Sequence, residues 1–271
     1  RFYDEDGNTI ENPQSFPAHS VALQVLGTFI LWFGWYGFNP GSTLAVIGAG
    51  SVLSLCAVTT TLAAAAGSVS ALVTDTLLGY LSEGEAEYDL TMAMNGCLGG
   101  LVGITAGCSV VEPWAALLIG LVAGVVYVFS SKLLVKLKID DAVDAIPVHF
   151  FNGIWGCIAT GLFAAPRHLA AAGYGDVPGL FYGEGKLLAC EIYGVLFIIG
   201  WVSLVMIPFF LGLKMLGMFR VDPLEEQVGL DISHHKGAAY DISAPNQAAV
   251  DELAEKRATA HGKSGGGDDE A

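Results

Sequence analysis

Charge is scarce in this sequence. Only 14% of its 271 residues are Asp, Glu, Lys or Arg, against roughly 25% in soluble domains. Cations are scarcer still, with 12 Lys and Arg against 27 Asp and Glu for a net charge of −15. That balance excludes an ordinary soluble domain and argues against binding to nucleic acid, which needs basic surface. The five cysteines, Cys56, Cys97, Cys108, Cys157 and Cys190, fall in apolar stretches. They have neither metal-ligand spacing nor an extracellular disulfide pattern, and they read as buried packing thiols. There is no phosphate-binding loop, nucleophile elbow or metal cluster, so neither an enzyme nor a cofactor is expected.

What the chain has instead is apolar length. Hydrophobic residues make up 53% of it, arranged in six segments at about 20–38, 52–78, 91–108, 113–132, 146–165 and 187–213. Such lengths suit membrane spans. The segments are rich in Gly, Ala, Ser and Thr, which let helices approach closely in lipid. The expected organisation is a loop at 1–18, a transmembrane domain at 19–215 and a tail at 216–271 that is disordered toward its end, GKSGGGDDEA. The first residue is Arg1 and no signal peptide is visible, which predicts that the chain is the C-terminal part of a longer protein. If six helices alternate, Arg1, Lys132, Lys136, Lys138, Lys214, Arg220, Lys236, Lys256, Arg257 and Lys263 fall on one side, leaving Arg167 and Lys186 on the other. Lys and Arg near helix ends favour the cytoplasm. Both ends of the chain are therefore expected to be cytoplasmic, with the link at about 166–186 outside.

Several residues stand out. Phe16–Ser42 reads FPAHSVALQVLGTFILWFGWYGFNPGS, uncharged from Val21 to Asn39 and crowded with Phe29, Trp32, Phe33, Trp35, Tyr36 and Phe38 at one end. An aromatic belt at the membrane surface explains Trp32 and Tyr36; a π-faced vestibule that holds a cation explains the whole cluster. Ser42 ends that helix as a turn residue, or offers its hydroxyl to a cation beside Phe38 and Trp35. His149 opens the fifth segment. An ionisable side chain there is costly and is by default functional, although a bond to a neighbouring helix would also account for it. Gly153, Gly156 and Thr160 share one flank and fit close helix contact, and Asn152 reads as helix glue or a pore-liner. Asp75 and Glu191 are expected to make interhelical hydrogen bonds. In GLDISHHKGAAYD, Gly229–Asp241, Ser233 is either part of a solvated tail or a site for phosphate. His234 and His235 have no third metal ligand near.

Three blocks resemble the ammonium transporter family (Amt/Mep/Rh), and its plant and algal members most. Phe29–Ser42, FILWFGWYGFNPGS, is similar to that family's sixth helix. Asp144–Phe163, DAIPVHFFNGIWGCIATGLF, is similar to its tenth, and Gly229–Tyr240 to its regulatory tail motif. The resemblance implies an all-α polytopic membrane protein whose six transmembrane helices correspond to the second inverted repeat plus the last helix of an eleven-helix fold. It implies His149 as the second pore histidine, Phe38 as an external gate phenylalanine, Trp35 as a pore-lining tryptophan, Ser42 as the outer-site hydroxyl and Ser233 in place of a regulatory threonine. Two departures are Phe150 and Phe151 after the histidine, where a small residue is common, and Lys236 where glycine is common. The implied activity is ammonium transport for nitrogen uptake: recruitment at an outer aromatic site, deprotonation, and passage of ammonia past pore histidines. An ammonium sensor signalling through the tail and an Rh-type gas channel are the alternatives. Homotrimers in the cell membrane are implied, with ammonium or ammonia and the lipid bilayer as partners. The first pore histidine and the outer-site tryptophan would lie in the other half, so residues 1–271 alone are expected not to conduct.

Overall fold

The computed structural model describes residues 20–84, 86–235, 237, 239 and 250–256. The loop expected at 1–18, Lys236 and the terminal stretch expected to be disordered lie outside the described residues. Those described are helical, with no strand among them. Helix α1 spans Val21–Phe38, α2 Gly50–Glu83, α3 Leu90–Thr105 and α4 Pro113–Lys136. A π-helical turn, Ile146–Phe151, runs into α5, Asn152–Phe163. Then follow α6 (Pro166–Ala172), α7 (Lys186–Met215), α8 (Pro223–Val228) and α9 (Leu230–Ser233). Among the described residues, five spans are long and apolar enough to cross a membrane, and α3, at 16 residues, is a shorter apolar helix. This is an all-α polytopic membrane fold.

Local chemistry sets the boundaries. Ser20 caps α1 by accepting from the Leu23 N–H at 3.3 Å, and Asp89 caps α3 by accepting from Thr91 and Met92. Side-chain oxygens of this kind satisfy donors that a first turn leaves orphaned. Pro113 opens α4 at the position where a missing N–H matters least. Gly84 closes α2 at φ 80°, a left-handed conformation that glycine adopts freely. The link at about 166–186 is more than a loop: it holds α6 and the short 3₁₀ turn Leu180–Tyr182.

The chain divides into one compact unit that ends at Ile198 and a second that begins at Ile199. In the first, α2 is squeezed between α3 and α4, and the contact is backbone on backbone. A Cβ added at Gly100 would lie 2.2 Å from the Ala63 carbonyl oxygen, and one at Gly120 would lie 2.3 Å from the same atom. At Gly96 it would meet Ala71 Cβ at 2.3 Å, and at Gly124 the Ser70 hydroxyl at 2.0 Å. Gly156 on α5 abuts Gly103 on α3 in the same way, whereas Gly153 faces open space. Asp75 on α2 pairs with Lys132 on α4 at 2.9 Å, which is an interhelical contact of the kind expected of it.

One polar clamp fastens the connection between α3 and α4. Glu112 receives a hydrogen bond from Arg167 and lies 3.3 Å from His168 Nε2, both on α6. Backbone pairing adds to it, with Val111 bridged to Ala164 and the Ala165 N–H donating to Val110 O at 2.8 Å. Burial raises the Glu112 pKa, but the Arg167 and His168 contacts outweigh that and leave it below the ordinary carboxylate value.

A depressed folded pKa gives stability that is present above the unfolded value, about 4.3, and is lost as pH falls through the folded one. Glu112→Gln should therefore lower the melting temperature of the detergent-solubilised protein at neutral pH, and the two proteins should converge as pH drops below the carboxylate range. Gly120→Val should be worse, because it overpacks a site whose neighbour is backbone. A loss of about 1–3 kcal/mol or more is expected in denaturant titrations, while Gly194→Ala, which faces open space, should change stability little.

Candidate functional site

One face of α1 carries the site. Gln24, Thr28, Leu31, Trp35 and Phe38 recur at steps of three and four, which places them in one stripe of a 3.6-residue helix. The stripe touches two cavities. The first, about 460 Å³, is lined by Gln24, Thr28 and Leu31 from α1, Thr91, Asn95 and Leu98 from α3, Asp144 from the turn before the fifth segment and His149 within it. The second, about 340 Å³, is lined by Phe38, Asn39 and Ser42 at the other end of α1, with Cys56 from α2 and Thr105 and Cys108 at the end of α3. Leu31 and Phe38 are two turns apart, about 10 Å along the axis. The structure thus places His149 in one cavity and Phe38 with Ser42 in another, strung along α1 and α3.

In the second cavity the Ser42 hydroxyl donates to the Phe38 carbonyl. With its proton so directed, the oxygen keeps lone pairs free to accept. Asn39 is buried and its amide donates to Thr60 on α2 at 3.0 Å. That bond anchors the end of α1 and so fixes where Phe38 and Ser42 stand. The next residue, Pro40, starts the 3₁₀ turn Pro40–Thr43, and Leu44 leaves it at φ 54°. Trp35 is absent from the lining of both cavities. Its indole N–H donates to Thr105 on α3 at 2.9 Å, and its ring leans on Phe38 at 5.8 Å between centroids. Phe38 is 60% exposed, and a cation over its open face would meet the ring's negative π surface.

The first cavity rests on a part-buried polar chain centred on the buried Tyr127. Asn95 donates to the Tyr127 hydroxyl at 3.0 Å, and that hydroxyl donates to Asp144 Oδ2 at 2.8 Å. Ser131 donates to the same oxygen at 3.0 Å. Asp144 itself holds φ 55°, and Asp141 caps the turn that follows by accepting from Ala145 and Ile146. Five residues after Asp144, His149 lies within the π-helical turn, exposed into the cavity. Such turns are frequent at functional positions. Asn152, fully buried, donates to Pro147 O at 3.1 Å and presses on Gly99 of α3. Neither the π turn nor the Asn95–Tyr127–Asp144 chain was read from the sequence. Pro147, lodged within an apolar run, was the available signal for the turn.

In the second unit Ser233 ends α9 and is only 6% exposed. Its neighbour His234 lies 3.1 Å from Glu225 of α8.

The sequence matches the model of the Ammonium Transporter Family over residues 4–240. It is 40% identical over 250 residues to ammonium transporter 1 member 2 of Arabidopsis thaliana, a match covering 88% of this chain and 47% of that protein. It is 41% identical over 239 residues to ammonium transporter Amt2 of Archaeoglobus fulgidus, covering 88% and 48%. The fold superposes on a solved structure described as a sensor Amt protein with a TM-score of 0.68 at 33% identity, covering 86% of this chain and 53% of that one. The chain thus spans about half the length of the curated relatives it matches. The family model over most of the sequence and these relatives show that the chain belongs to the ammonium transporter family.

Proposed function

We propose that the protein carrying this chain moves ammonium across the cell membrane and that the two cavities strung along α1 lie on one path. The observation that carries this reading is the shared α1 stripe, which ends in Phe38, beside Ser42 of the next turn, at one cavity and in Thr28 and Gln24, across from His149, at the other. The remaining wall of the path belongs to the half of the relatives' length that this chain does not span.

The chemistry follows from desolvation. An ammonium ion stripped of water in an apolar lumen pays a large penalty, whereas neutral ammonia pays far less. Phe38 offers its ring face and Ser42 a hydroxyl acceptor, so a cation can shed part of its hydration at the outer cavity with partial compensation. There it passes its proton to a solvent water at the open mouth, leaving ammonia and a hydrated proton outside. Ammonia then crosses the apolar stretch of α1 around Leu31, and the His149 imidazole, with one donor and one acceptor when neutral, replaces the hydrogen bonds lost to water. Trp35 acts by holding Phe38 in place from its anchor on Thr105. On this reading the Phe38 end faces outside, both chain ends are cytoplasmic and the assembly is a homotrimer. The glycine pairs Gly99/Gly103 and Gly120/Gly124 are already occupied by contacts within the chain, so the trimer would use other surfaces. Ser233 is the regulatory residue of the tail.

A sensor is the second reading. Likeness to the structure described as a sensor Amt protein favours it, and signalling that persists in a transport-dead variant would select it.

The test is ammonium-evoked current and radiolabelled methylammonium uptake in oocytes expressing the full-length protein. His149→Ala should cut uptake at least tenfold, equivalent to about 1.4 kcal/mol, or alter selectivity over potassium. Unchanged rate and selectivity at equal surface expression would remove His149 from the path.

A further inference from the structure

The described residues of the tail share a small apolar core. Val228 of α8 and Leu253 are both buried, and Leu224, Ile232 and Val250 pack around them. Residues 250–256 are helical and thus dock on α8 and α9. A polar contact secures the edge, with Lys256 Nζ 3.1 Å from Asp222 Oδ2 at the start of α8. Hydrogen bonds from the Leu224 N–H and from Lys256 hold the Asp222 carboxyl below its ordinary pKa, which marks the contact as favourable to the charged form. Arg220 pairs with Glu226, and His234 with Glu225, on the same body. Helix α9 has four residues, Leu230–Ser233, so Ile232 and Ser233 move together. Ser233 is 6% exposed while its neighbour Ile232 is held by the core that contains Leu253.

A protein kinase needs its target hydroxyl in an extended, accessible segment. Its chemistry transfers the γ-phosphoryl group of ATP: the bond to the ADP oxygen breaks, the Ser233 Oγ–P bond forms, and the hydroxyl proton leaves to the kinase's base. None of that is possible at a buried hydroxyl in an intact helical turn. We propose that docking of residues 250–256 is a latch on Ser233, so that phosphorylation of this residue requires release of Leu253 from Val228 and Ile232. The latch gives the tail two states. Docked, Ser233 is shielded; released, a phosphate of roughly −1.5 to −2 charge can be added. That group would then oppose redocking, because Asp231, Glu225 and Glu226 lie on the same body and a dianion is costly to bury. The switch would therefore hold itself open until a phosphatase acts. This inference rests on the reading of Ser233 as the regulatory residue.

The latch and that reading are separable by experiment. Ser233→Cys in the full-length protein gives a thiol whose labelling by a hydrophilic maleimide reports access without any kinase, with the Ser233 protein as background. Leu253→Asp should speed labelling roughly tenfold or more, since it removes a buried apolar anchor. The milder Lys256→Ala should give a smaller increase in the same direction. Equal labelling rates in all three proteins would overturn the latch. Transport by Ser233→Asp tests the other half. Labelling that obeys the latch while Ser233→Asp transports like wild type would leave the gate intact and remove its regulatory role.

Discussion

The approach of α2 to α3 and α4 through bare backbone is the constraint on which the first unit depends. In lipid, apolar side chains gain little from meeting one another, because the acyl chains are as apolar as they are. Close van der Waals contact must supply the association instead. The Ala63 carbonyl faces glycine on both sides, Gly100 on α3 and Gly120 on α4, and one turn further Gly67 and Ser70 sit against Gly96 and Gly124. Any side chain at these glycines would push a helix away. Since α3 supplies walls to both cavities, its distance from α2 determines where those walls stand.

On that base the polar groups have defined tasks. Thr105 at the end of α3 holds Trp35, Trp35 supports Phe38, and Thr60 on α2 holds Asn39. One turn of α1 is thereby tied to both neighbours at the mouth lined by Ser42. At the other cavity, α3, α4 and the segment carrying His149 meet through Asn95, Tyr127 and Asp144. Two helices and the turn that leads into the histidine's segment thus share one chain of hydrogen bonds. Buried polar groups are expensive unless paired, and here the pairing also fixes the turn on which His149 is presented.

Much of this was legible in the sequence. The six apolar segments correspond to α1, α2, α3, α4, the π turn with α5, and α7, because turn and cap residues such as Asn39-Pro40, Gly84, Asp89 and Pro113 mark the ends. The aromatic cluster and His149 were visible as unusual residues in apolar runs. What was hidden depends on partners far along the chain. Small residues such as Gly120 and Gly124 suit any close helix contact, and only the fold shows that α2 fills the space beside them. The family resemblance implies a pore-lining Trp35, and only the fold shows that Thr105, seventy positions away, accepts from its indole N–H. The tail read as solvated because its apolar residues are sparse; Leu224, Val228, Ile232, Val250 and Leu253 form a core only once the segments carrying them fold together.

Cysteine-accessibility scanning of α1 in the full-length protein tests most directly whether one helix face lines a continuous path. Single cysteines at 24 through 38 would be challenged with a small polar thiol reagent, with and without ammonium. The account predicts reactivity, and protection by ammonium, at 24, 28, 31 and 38 in a helical stripe, with 26, 29 and 33 unaffected by ammonium. Protection without helical period, or confined to the opposite face, would contradict it.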